Sequence, residues 1–146
     1  MQSAYQASVP ELGVIKAKTP PIVFLTSNNV RDLGDALKRR CLHLHIPLPE
    51  ASLERQIVAS RVPDIESRLN HQLVGFVHAL RELDLRKSPS ISETVDWARA
   101  LILMHADSLE PSLVRDTLNV ILKFEQDIEA VEPQINELLR TAQAGA

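Results

Sequence analysis

From residue 50 onward, apolar residues recur at helical intervals; before it, they run or alternate like strands. Ile65, Leu69, Leu73, Phe76, Val77 and Leu80 keep a 3.6-residue period and predict one long amphipathic helix. Upstream of it, "ASLERQIVASRV" places Leu53, Ile57 and Val58 on one stripe, ended by Pro63. Ser90-Ile91-Ser92-Glu93 has the spacing of a capping box and predicts a helix through "TVDWARALILM". Glu110-Pro111 opens another helix through Val114, Leu118, Ile121 and Leu122, with proline at a permitted first-turn position. The last segment carries Ile128, Val131, Ile135, Leu138 and Leu139 at three- and four-residue steps, and Pro133 should break or kink it. The closing "TAQAGA" is expected to fray.

The first part of the chain reads differently. "YQASV" and "GVIKA" flank Pro10-Glu11-Leu12-Gly13, turn chemistry that predicts a β-hairpin. "PPIVFLTS" is a continuous apolar run with β-branched residues, the pattern of a strand buried on both faces. "VRDLGDALKRR" suits a short helix with Leu33 and Leu37 on one face. "CLHLHIPLP" alternates strictly and reads as a further strand, stopped by Pro47 and Pro49. The expected organisation is therefore an α/β piece over residues 1–49 (a few strands and a short helix). An all-α helical bundle follows over 50–146, making the chain mainly α overall. Two or three central-type strands cannot bury both faces alone, so the first piece reads as the end of a larger α/β domain.

Bulk properties narrow the function classes. The 146 residues carry a net charge of −3, which disfavours general nucleic-acid binding. One cysteine excludes an internal disulfide and suits a reducing compartment. No apolar run approaches a membrane span of ~20 residues. The first residues, "MQSAYQASVP", lack the basic-then-apolar pattern of a signal peptide. A soluble cytoplasmic protein, with neither nucleic acid nor membrane as partner, is the expectation.

Candidate chemistry concentrates in a few places, each with a plainer reading beside it. Thr26, Ser27 and Asn28 close the apolar run, where an open α/β sheet binds ligands; the same residues also favour turns. Arg39 and Arg40 offer the rigid donor fork that suits phosphate, or simply offset the dipole of a helix end. Cys41, His43 and His45 are all zinc-binding types on one face of the alternating segment. With no fourth ligand nearby, alternation alone explains them and no metal site is expected. Trp97 is expected to pack between helices, and His71, His78 and His105 to lie on helix surfaces or in packing. Lys87 and Arg99 flank the Trp97 helix and are within reach of an anionic ligand or of solvent. The four glycines, Gly13, Gly34, Gly75 and Gly145, form no phosphate-binding GxGxxG or GxxxxGK[ST] loop.

Taken together, "IVFLTSNNVRDLGDALKRRC", "LHLHIPLP" and "SPSISETVDWARAL" resemble the AAA+ ATPase superfamily, and within it the MoxR-type branch with its CoxD-like members. The resemblance runs from about Tyr5 to Gln126. It implies that "SVPELGVIKA" is the hairpin before the sensor-1 strand and that Asn28 is the sensor-1 residue, with Ser27 beside it. It also implies that Arg40 is the arginine finger, with Arg39 as the alternative, and that the helices after residue 50 form the lid. The Walker A and Walker B motifs, which hold phosphates and Mg²⁺, are missing from the sequence, and the expectation is that they lie upstream of Met1. No clear sensor-2 arginine is present: Ser90 stands where many relatives have one, leaving Lys87 or Arg99 as substitutes.

The resemblance implies a ring-forming, hexameric ATPase using ATP and Mg²⁺. Its task would be chaperone-like remodelling or maturation of a partner protein, such as a metalloenzyme, with a partner bearing a von Willebrand A-type domain. This chain alone is expected to bind neither cofactor tightly and to be inactive. The rival reading is a non-catalytic helical protein-interaction module.

Overall fold

The structure, a computed structural model, describes residues 6–19, 22–27 and 34–144. The chain divides into two units, one ending at His45 and the other beginning at Ile46. Mainly helical overall, it contains one two-stranded sheet among the described residues.

In the first unit, strand β1 (Gln6–Val9) pairs antiparallel with β2 (Gly13–Lys16) as the sequence predicts. The three-residue loop closes with Leu12 N–H donating to Val9 O at 3.1 Å. Gly13 then takes φ +72°, the left-handed position that such a loop requires and glycine adopts without strain. The short helix α1 (Asp35–Lys38) also forms, with Leu37 partly exposed; Leu33 lies outside the described residues.

Both further strands are corrected by the structure. Ile22–Ser27 and Cys41–Pro49 belong to no strand. Ile22, Val23, Phe24 and Leu25 are 85, 68, 89 and 55 % exposed, and Leu42, Leu44 and Ile46 are more exposed still on average. The physical reason is the absence of a template. A two-face-buried strand needs neighbours on both edges and layers on both faces. The described residues supply only the small β1–β2 hairpin, itself largely exposed.

The second unit has a complete core. Its helices are α2 (Ala51–Arg61), α3 (Ser67–Arg81), α4 (Ile91–Leu103), α5 (Pro111–Ile121), α6 (Glu125–Val131) and α7 (Ile135–Ala144). Leu69, Leu73, Phe76, Val77 and Leu80 of α3 are all buried, as their period requires. α3 is the spine: it packs against α2, α4 and α7, while α5 packs on α4 and α7. Phe76 and Trp97 meet in the middle, ring centroids 5.5 Å apart and tilted by 53°. Pro133 does interrupt the last segment, turning it through a single 3₁₀ turn (Glu132–Gln134) between α6 and α7. The expected fraying at "TAQAGA" does not hold for Thr141–Ala144, which remain helical because Leu138, Leu139 and Ala142 are buried.

α2 departs from its predicted stripe. Leu53 is 50 % exposed, whereas Glu54 and Val58 are fully buried. The buried face runs through 54, 58 and 62, spaced four apart, and a carboxylate stands in it. Its partners, described next, make that rotation favourable.

Candidate functional site

The sequence-predicted site residues are dispersed. Asn28 lies outside the described residues. Ser27 is exposed at the end of the apolar run. Arg39 and Arg40 form an exposed turn directly after α1, their backbone N–H groups donating to Asp35 O and Leu37 O at 3.1 and 3.0 Å. Each of the two cations near α4 is held by its own carboxylate. Lys87 Nζ donates to Glu93 Oε1 at 2.8 Å, and Arg99 donates to Asp96 Oδ1 at 3.2 Å on the exposed face. Cys41 is exposed, and among the described residues no group of three or more His, Cys, Asp or Glu converges on a point where a metal could sit.

The best-built polar site is one that sequence reasoning missed. Glu54 of α2, 0 % exposed, is gripped by Arg81 at the end of α3, with Nη1 to Oε2 at 2.6 Å and Nη2 to Oε1 at 2.9 Å. Thr94 Oγ1 of α4 donates to Glu54 Oε1 at 2.8 Å, and His78 Nε2 lies 2.9 Å from Oε2. Arg81 Nε donates in turn to Pro89 O at 2.9 Å. The site therefore ties α2, α3, α4 and the loop before α4 into one polar knot. Burial pushes the Glu54 carboxyl up, but the hydrogen bonds from Arg81, Thr94 and His78 and the Arg81 charge outweigh it. The group is held below the usual carboxylate range. With two donors on each oxygen, the carboxylate has no lone pair to spare for a substrate, so the knot is structural. The spacing of Glu54 with Val58 and Val62 was the available signal; Glu54, next to Arg55 in "SLERQ", otherwise looks like a solvated position.

A second polar centre organises the start of α4. Ser90 and Glu93 form the predicted capping box, with Ser90 N–H donating to Glu93 Oε2 at 2.9 Å. Burial raises the Glu93 carboxyl, and the bonds from Lys87 and Ser90 reverse this and bring it down to about 2. Far along the sequence, on α6, buried Asp127 accepts the backbone N–H groups of Arg86 and Lys87 at 2.9 and 3.3 Å. Arg86 stacks over the Phe124 ring at 4.2 Å. The 82–90 loop is thus fixed at its middle and at its end, and Lys87, the candidate anion ligand, is already engaged.

The helical unit also has a cleft between the first turn of α3, the start of α5 and α7. Its volume is ≈ 310 Å³, and Arg68, Gln72, Ser108, Glu110, Asn136 and Arg140 contribute its polar lining. A more open depression lined by Ser67 and His71 adjoins it and shares Arg68, Gln72 and Gln143 with it. No helix among the described residues is long and apolar enough to cross a membrane.

Comparison with known proteins yields no matching family model, no matching curated protein and no matching solved structure.

Proposed function

We propose that the chain carries the end of the α/β core and the helical lid of a MoxR-type AAA+ ATPase, coupling ATP hydrolysis to chaperone-like remodelling or maturation of a partner protein. The observation that carries the reading is the order of parts. A hairpin precedes an apolar run ending in Ser27-Asn28. A short helix then ends in exposed Arg39-Arg40, and a helical unit with its own core begins at Ile46. Exposure of Ile22–Leu25 outside any sheet supports it, since these residues have the composition of a central strand and pair with no strand among the described residues.

In this reading Asn28, with Ser27 beside it, positions the water that attacks the γ-phosphate. Arg40 reaches the neighbouring subunit's site in a ring, hexameric as in the family, and stabilises charge on the transferring phosphoryl group. Arg39 is the alternative finger. Lys87 and Arg99 are the lid cations available to an anionic ligand, each only by leaving its present carboxylate. ATP and Mg²⁺ need the Walker motifs, which this sequence lacks, so another part of the ATPase supplies them. The remodelled partner, a metalloenzyme or a von Willebrand A-type protein, follows from the resemblance alone.

The test is Arg40→Ala in an ATPase that joins this chain to a phosphate-binding loop. Turnover should vanish while nucleotide binding persists; unaltered turnover refutes the finger. The 146-residue chain alone should hydrolyse no ATP.

A second reading, a non-catalytic interaction module, is favoured by the self-contained core of the helical unit and by Leu103 and Met104, exposed by 80 and 51 %. The reading frame ahead of Met1 discriminates. An in-frame GxxxxGK[ST] supports the motor, and a stop codon there supports the module.

A further inference from the structure

The cleft between α3, α5 and α7 holds two arginines that the proposed function does not use. Arg68 stands in the first turn of α3 and Arg140 on α7, and both line the same ≈ 310 Å³ space. Neither guanidinium is among the ion pairs of the described residues, whereas Arg81 and Arg99 each hold a carboxylate. Two like charges brought to one concavity, neither of them held in an ion pair, favour an anion between them. The neutral lining adds donors. Gln72 Oε1 accepts Leu109 N–H at 2.9 Å, which fixes the amide and leaves its Nε2–H groups to donate elsewhere. Asn136 and Ser108 add an amide and a hydroxyl. The first turn of α5 forms another wall, with its positive dipole end at Pro111. Glu110 is the one acidic residue in the lining and opposes the two arginines, leaving a balance of one positive charge.

We infer that this cleft is a binding site for a phosphoryl-type oxyanion, held between Arg68 and Arg140 with Gln72 as a neutral donor. A single carboxylate has two oxygens and saturates one guanidinium fork. A phosphate dianion has more acceptor oxygens and balances two forks, so two unpaired arginines select it over a carboxylate. The cleft belongs to the helical unit alone, and the inference stands whichever function above is right.

The test is an amide-resolved NMR titration of the full 146-residue chain with inorganic phosphate, with sodium chloride at matched ionic strength as control and acetate as the carboxylate arm. Saturable shifts should centre on Gln72, Ser108, Leu109 and Arg140. Arg68→Gln and Arg140→Gln should each weaken binding roughly tenfold or more, and Glu110→Gln should strengthen it. All three side chains are exposed, so the variants should fold, and their unfolding midpoints confirm it. Shifts that fail to saturate, that chloride reproduces, or that both arginine variants leave unchanged overturn the site. Equal binding of acetate overturns the phosphoryl preference.

Discussion

Arg81 holds Glu54 with both terminal nitrogens, at 2.6 and 2.9 Å, and the two side chains are only 8 and 0 % exposed. A buried ion pair of this kind adds little net stability when compared with an apolar pair, yet breaking it strands a charge. Arg81→Met should therefore destabilise the helical unit by about 3–5 kcal/mol. The double variant Glu54→Leu/Arg81→Met should be less damaging than the two single effects summed. Denaturant unfolding of the four proteins decides this; additivity would mean that the pair is not coupled.

The same carboxylates set the response to acid. Glu54 and Glu93 are both held below the ordinary value of 4.5, Glu93 at about 2. A carboxyl whose folded pKa is depressed stabilises the fold above its unfolded value, and that contribution is lost as pH falls through the folded one. Stability should therefore decline progressively as pH drops from about 4.5 towards 2. Glu93→Gln should cost about 1 kcal/mol at neutral pH through the weakened capping box. It should also flatten the pH slope, so wild type and variant converge near pH 2. Unfolding free energies measured across that range check both the sign and the convergence.

Gly75 faces α7 so closely that an added Cβ would stand 2.9 Å from Ala142 O and 3.2 Å from Ala142 Cα. Both are backbone atoms, so a rotamer change cannot relieve the clash. Gly75→Ala gains about 1 kcal/mol of helix propensity, yet overpacking should outweigh it and destabilise the protein by about 1–3 kcal/mol. Ala142→Gly should not rescue the variant, because the carbonyl remains. A stabilised Gly75→Ala would show that α7 moves away freely.

Periodicity made the helical unit readable because its core is local in sequence. The α3 stripe, the capping box at Ser90, the proline start of α5 and the break at Pro133 each depend on a few neighbouring residues, and each appears. Ile22–Leu25 and Leu42–Leu48 failed for a different reason. Their composition describes a strand, but a strand is completed by partners distant in sequence, and the described residues provide none. Glu54 shows the same limit on the polar side. Its burial is set by Arg81, Thr94 and His78, which lie 24 to 40 residues away. Of the candidate site, Arg39 and Arg40 are exposed, while Lys87 and Arg99 had carboxylate partners in Glu93 and Asp96 that spacing alone did not single out.

α4 ends in a left-handed cap without glycine. His105 has φ 55°, its N–H donates to Ile102 O, and Ala106 N–H donates to Leu101 O, both at 3.0 Å. This is the paired-bond Schellman ending, in which the left-handed residue normally lacks a Cβ. His105 is exposed, so its side chain offers little packing in return. His105→Gly should stabilise the protein by up to about 1 kcal/mol, the strain removed being partly offset by a more flexible unfolded chain. A small upward shift in thermal midpoint is the expected reading, and a fall would mean that the histidine makes a compensating contact.

Trp97 is the sole tryptophan, fully buried, and its Nε1–H donates to Thr117 Oγ1 at 2.8 Å. Thr117 Oγ1–H donates in turn to Leu113 O at 2.7 Å, so the indole is anchored through one hydroxyl to the α5 backbone. Thr117→Val keeps the shape and removes the acceptor, leaving a buried indole N–H without a partner. The expected cost is about 1–3 kcal/mol, the penalty of an unsatisfied buried donor. Thr117→Ser retains the hydroxyl and should preserve most of the hydrogen bond, losing only a methyl group. Trp97 is also the natural reporter. Its emission should be that of an apolar site in the native protein and shift to the red on unfolding, at a lower denaturant concentration for the valine variant than for the serine one. Equal midpoints would show that the α4–α5 contact rests on packing alone.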